Sequence, residues 1–160
     1  LLCGWQVSGM YHGLLSDHFM VQTRITWRNK QGKVQPRIPT WRNEIGDIWF
    51  VTKSEDFLFN LRAVNLESDR KKMISESENK LQTNFWIDIP YITDEAGRRS
   101  GKLYSKILDA SSFKLNWVLD PFMRNGDAGV ASKRCGRRFI GFETNKDLLL
   151  LSMKRIDQEG

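Results

Sequence analysis

A chain of 160 residues has the length of one ordinary domain, and 40% hydrophobic with 28% charged residues is the composition of a packed globular one. Six Trp and nine Phe exclude wholesale disorder, and apolar stretches such as Leu148–Leu151 fall far short of the roughly 20 residues that cross a bilayer as a helix. Cys3 and Cys135 are too few and too distant for a disulfide framework. With only His12 and His18 beside them they fit no zinc site either, so an intracellular, reducing compartment is expected. The opening Leu1-Leu2-Cys3-Gly4-Trp5 has no initiator Met and no signal-peptide pattern, and reads as internal to a longer gene product.

In chain order, a short strand precedes a helix over Val7–Phe19, whose apolar positions Val7, Met10, Tyr11, Leu14, Leu15 and Phe19 recur three and four apart. A strand follows over Phe19–Trp27, and then a loop over Arg28–Thr40 with Gly32, Pro36 and Pro39. Asp47–Lys53 is a second, mostly apolar strand. Residues 67–82 turn charged and polar and read as an insertion. Beyond it come a helix over Leu103–Ala110, a short buried strand over Trp117–Pro121, a helix over Ala128–Cys135 stopping at Gly136, a strand over Arg138–Glu143 and a helix over Asn145–Ile156. Such alternation predicts an α/β domain with a parallel sheet and covering helices, its ligand at the carboxyl ends of the strands.

The net charge of +6 is local. Between residues 24 and 42 stand Arg24, Arg28, Lys30, Lys33, Arg37 and Arg42 with no acid, interleaved with Trp27 and Trp41. A basic segment carrying exposed aromatics binds phosphates through charge and bases through stacking; a solvated loop with inward tryptophans is the alternative. Two acids end neighbouring strands, Asp120 and Glu143, with a turn containing Gly126 and a helix between them. A glycine allows close backbone approach to a small ligand, and an acid ending the following strand can accept both hydroxyls of a ribose. His12 and His18, six apart, do not share the i, i+4 face of a metal pair. Cys135 reads as a helix-end core position.

The run Leu119-Asp120-Pro121-Phe122, then Gly126, Ala131 and Gly136-Arg137-Arg138-Phe139-Ile140-Gly141-Phe142-Glu143, with Lys154-Arg155-Ile156, resembles the cofactor half of the DNA amino-methyltransferases. These enzymes methylate adenine at N-6 or cytosine at N-4, and the order here resembles their beta group. Leu2–Trp5, Ile25–Arg28 and Glu44–Lys53 resemble the strands of the preceding half. The resemblance implies a Rossmann-like methyltransferase sheet lacking its front part. One domain would span 1–160: residues 1–66 in the catalytic half, 67–82 a reduced target-recognition region and 83–160 the cofactor half. It implies S-adenosylmethionine as cofactor, with Phe122 and Gly126 in the Phe-x-Gly-x-Gly turn and Glu143 on the ribose.

The chain departs from the family in places. Arg124 stands where the turn has its first glycine, Asp127 and Ala128 replace threonines, and Glu95–Ser100 keeps only Arg99 of a His-Pro-Thr-Gln-Lys-Pro segment. A cationic side chain there is expected to crowd and repel a sulfonium cofactor. The catalytic Asp-Pro-Pro-Tyr, which in the adenine enzymes accepts hydrogens from the amine and stacks the flipped base, belongs upstream of Leu1. Asp88-Ile89-Pro90-Tyr91 looks similar but reads as structural. Two functions follow: part of a DNA adenine methyltransferase whose front half lies on the same gene or a partner chain, or a non-catalytic subunit binding DNA or RNA.

Overall fold

The structure is a computed structural model, and residues 1–28, 44–60, 83–87, 89 and 101–159 are those described. Lys30, Lys33, Arg37, Trp41, Arg42, the polar insertion 67–82 and the Glu95–Ser100 segment lie outside them, as do Asp88, Pro90 and Tyr91. The chain divides into two compact units, Leu1–Phe57 with Thr83–Tyr91, and Leu58–Gln82 with Ile92–Gly160. Among the described residues no helix is long and apolar enough to cross a membrane.

The first unit is built on strands β1 (Leu2–Gly4), β2 (Met20–Arg28), β3 (Ile45–Thr52) and β4 (Phe85–Trp86), with helix α1 (Trp5–Ser16) between the first two. The sheet order is β1-β3-β2-β4. β3 runs antiparallel to both β1 and β2, and β4 runs parallel to β2. β3 is the antiparallel member of a sheet expected to be mostly parallel. Antiparallel neighbours need no crossover helix between them, and the sequence between β2 and β3, with Gly32, Pro36 and Pro39, carries no helical pattern.

The α1 stripe is also corrected. Val7, Met10 and Leu14 point outward, and the side turned to the sheet carries Ser8, Tyr11, His12 and Leu15. Polar and aromatic contacts hold it there: the Trp49 indole donates to Ser8 Oγ at 3.1 Å, and the His12 ring lies 5.0 Å from that of Trp49. Burial pushes the nearby Cys3 thiol up from its ordinary pKa.

Asp47 sits at the middle of this sheet, opposite Cys3 on one side and Thr26 on the other, with its side chain fully buried. Arg24 reaches along β2 and grips it with both arms, Nε to Oδ1 at 2.9 Å and Nη2 to Oδ2 at 3.0 Å, while its own side chain stays half exposed. A bidentate fork of this kind neutralises a carboxylate that has no access to water.

The second unit holds α2 (Gly101–Ser111), β5 (Trp117–Asp120), α3 (Asp127–Arg134), β6 (Arg138–Gly141) and α4 (Lys146–Asp157). β5 and β6 pair in parallel, from Trp117↔Arg138 to Asp120↔Gly141, across the right-sized crossover that α3 supplies. Leu103 and Leu108 of α2 and Val130 and Ala131 of α3 form the core. Gly129 lets α4 and β6 approach: a Cβ there would stand 2.5 Å from Ile156 Cδ1 and 2.8 Å from Phe139 Cε1. β5 is not the buried strand its composition suggested, because Trp117 and Leu119 lie on an open face, the first under the Arg138 guanidinium.

Arg24→Ala strands a buried carboxylate and is expected to cost about 3 kcal/mol in urea unfolding. Asp47→Asn leaves the cation partly in water and should cost only about 1 kcal/mol. Equal losses would contradict this asymmetry.

Candidate cofactor site

The turn from β5 to α3 is fixed by backbone geometry first. The Phe122 N–H bonds the Asp120 carboxylate at 3.0 Å, the Met123 N–H bonds Phe142 O at 2.9 Å, and the Phe142 N–H returns to Asp120 O at 3.0 Å. The turn is thereby sewn to the end of the neighbouring strand. Between Met123 and Gly126 it closes with a 2.9 Å backbone bond and passes through two left-handed residues, Arg124 at φ +47° and Gly126 at φ +75°.

Gly126 is required twice over. Its φ suits glycine, and an added Cβ would stand 2.7 Å from Ser152 Cβ on α4. Arg124 has only the first of these problems: it holds a glycine-like backbone at some cost in strain, its side chain is exposed, and its charge acts on the Glu143 carboxylate beside the same turn.

Glu143 ends β6 and faces this turn. Its Oε2 accepts the Arg124 N–H at 2.8 Å and its Oε1 accepts the Asn145 N–H at 2.9 Å. The carboxyl pKa is held below its ordinary value, foremost by the Asn145 N–H, then by the N–H groups of Arg124 and Thr144 and by the Arg124 charge. Asn145 in turn caps α4, accepting from the N–H groups of Asp147 and Leu148 at 3.0 and 3.1 Å. From behind, Arg155 of α4 donates to Asn125 O and pairs with Asp127 at 2.9 Å, with both side chains largely buried. Arg155 was quoted in the sequence only as part of a trailing motif; a cation inside an apolar helix register was the available signal.

Asp120, Phe122, Gly126 and Glu143 are thus brought together around one turn. Phe122, 81% exposed, presents a bare ring beside it. A separate groove of about 260 Å³, lined in part by Gly101 and Val130, has its two cations already paired, Arg134 with Glu159 and Arg155 with Asp127.

The proposed nucleic-acid residues fare differently. Trp27 is a core residue at 4% exposure, its indole donating to Ile89 O at 3.0 Å, so it offers no face for stacking. Arg24 spends two donors on Asp47. Arg28 stays exposed at the end of β2, within 3.4 Å of Glu44. Trp5, which with Phe57 and Phe85 stands exposed in this unit, belongs by sequence pattern only to a strand.

Gly126→Ala is expected to cost at least about 2 kcal/mol, with Ser152→Gly restoring the space but not the φ and so rescuing only part. Glu143 has a depressed folded pKa. The stability it contributes is therefore present above the unfolded value and lost as pH falls through the folded one. Melting curves of the chain and of Glu143→Gln should differ at neutral pH and converge in acid; a constant gap would contradict the pairing.

The family described as DNA methylase matches residues 6–154. The type II methyltransferase M2.DpnII of Streptococcus pneumoniae is 42% identical over 57 residues, 36% of this chain and 21% of its own length. DNA adenine methyltransferase YhdJ of Escherichia coli is 26% identical over 157 residues, 87% of this chain and 53% of its own. Among solved structures, M1.HpyAVI in complex with SAM superposes with a TM-score of 0.71 at 22% identity, over 96% of this chain and 72% of that one. TTHA0409 of Thermus thermophilus, complexed with S-adenosyl-L-methionine, gives 0.71 at 20% identity, over 99% and 68%. At these identities the superpositions establish the α/β methyltransferase fold. The chain spans about half the length of the YhdJ relative and a fifth of the M2.DpnII one. The chain belongs to the N6/N4 DNA methylase family.

Proposed function

We propose that this chain is the cofactor-holding portion, with part of the DNA-facing portion, of an S-adenosylmethionine-dependent DNA methyltransferase acting on adenine N-6. In this reading residues 1–66 belong to the catalytic half, 67–82 to a short target-recognition region and 83–160 to the cofactor half of one intracellular enzyme domain. The observation that carries it is the Glu143 carboxylate, anchored at the end of β6 against the left-handed turn.

The residues present fit the adenosine part of the cofactor. An ionised carboxylate has about four acceptor positions; the Arg124 and Asn145 N–H groups take one on each oxygen and the Thr144 N–H also faces it, which leaves an acceptor position open toward a ribose hydroxyl. Phe122 supplies an apolar ring at the same turn. When bound, S-adenosylmethionine would supply the transferable methyl group. The chain's own part is to hold the ribose through Glu143, flank the adenine with Phe122 and keep the turn in shape through Gly126 and Arg155. Adenine as target is supported by the relative named a DNA adenine methyltransferase. No Asp-Pro-Pro-Tyr occurs in the 160 residues. Methyl transfer is proposed to need that tetrapeptide from a segment or partner chain outside them.

Arg124 favours a second reading, a non-catalytic DNA- or RNA-binding subunit, because it places a cation at the turn where the family pattern has glycine. Calorimetric titration separates the two. The cofactor reading expects micromolar binding of S-adenosylmethionine and S-adenosylhomocysteine, a loss of about tenfold or more in Glu143→Ala, and binding unchanged from about pH 8 to about pH 5 because Glu143 stays ionised. No binding by the unaltered chain, with binding gained in Arg124→Gly, would establish a disabled site and the second reading.

A further inference from the structure

The carboxyl rim of the first unit's sheet is an ordered surface. Gly4, Gly46, Trp27 and Trp86 stand in one row across β1, β3, β2 and β4. One position further out, where β1, β2 and β4 end and β3 begins, stand Trp5, Arg28, Ile87 and Ile45, all exposed. Inside the row the indoles are structural; outside it one is not. Trp27, Trp49 and Trp86 are buried, and each indole N–H donates, to Ile89 O, Ser8 Oγ and Thr83 O at 3.0, 3.1 and 3.1 Å. Trp5 is 49% exposed, and its indole N–H has no acceptor among the described residues. Among the described residues the other exposed indole, Trp117, lies at the amino end of β5, under Arg138.

We propose that this rim binds an unstacked nucleobase, with Trp5 as its stacking surface and Arg28 holding an adjoining phosphate. The inference rests on the nucleic-acid reading above and assigns it a residue. Three observations favour nucleic acid over a protein partner. A large exposed ring, with the aliphatic Ile45 at the neighbouring strand position, suits the face of any base. The ligand end of a sheet with parallel strands is its carboxyl end, where Trp5 and Arg28 both stand. The chain leaves this rim at Arg28 and returns to it at Glu44, and the sequence between carries Lys30, Lys33, Arg37 and Arg42 without an acid. A rim built for a protein partner would not be tethered to so one-sided a charge.

The test is fluorescence anisotropy of a labelled single-stranded oligodeoxynucleotide with the full chain over a range of salt. The variants are Trp5→Ala, Trp5→Phe and Arg28→Ala, each checked for native circular dichroism. Trp5→Ala should weaken binding about tenfold without changing the salt dependence, and Trp5→Phe should recover most of it. Arg28→Ala should lower the slope of log affinity against log salt by about one. Unaltered affinity in Trp5→Ala, with binding by the parent chain intact, overturns the inference and leaves the nucleic-acid reading standing. Absence of binding by the parent chain overturns both. Sedimentation showing a dimer that Trp5→Ala dissolves, with oligonucleotide affinity unchanged, would assign the indole to a protein contact and overturn it as well.

Discussion

The second unit depends on a turn that must be left-handed in two places and is held there from both sides. In front, the Glu143 carboxylate accepts the N–H of Arg124; behind, the Arg155 guanidinium takes Asn125 O and the Asp127 carboxylate. The largely buried Arg155 and Asp127 charges would be costly where they stand without each other. Glu143 ends a strand, Arg155 belongs to the last helix, and Asp127 opens α3, so a single turn ties four elements together. A ligand that used the remaining acceptor position of Glu143 would therefore meet a carboxylate already oriented, and little ordering would be needed on binding.

The first unit solves a similar problem with a cross-strand fork. Asp47 is buried at the centre of the sheet and Arg24 reaches it from the side, keeping half its surface in water. This changes the meaning of the basic segment that begins at Arg24. One of its six cations is a structural partner, and one of its two tryptophans is core. Charge density along a sequence counts cations; it does not separate those engaged by a carboxylate from those left for phosphate.

Most elements were legible. The strands and helices of the second unit fall within a few residues of their expected bounds, because Gly136 and Asn145 mark the helix ends there and short apolar runs mark the strands. The α1 helix was legible as a helix but only partly in its facing: Val7, Met10 and Leu14 of its apolar stripe turn outward, and on the sheet side Ser8 and His12 meet Trp49. Periodicity identifies a stripe, and only the neighbouring surface decides whether that stripe is covered.

By itself the sequence determined the α/β class, the family and the acid–turn–acid constellation of Asp120, Gly126 and Glu143. These depend on local backbone chemistry and on words of sequence that a single strand–turn–helix unit must contain. Tertiary structure decided the direction of β3, the burial of Trp27 against the exposure of Trp5, and the use of Arg24 and Arg155 as partners of buried acids. Each of those outcomes is a pairing between residues distant in sequence, or the lack of one, and no local pattern of residues fixes which distant group arrives.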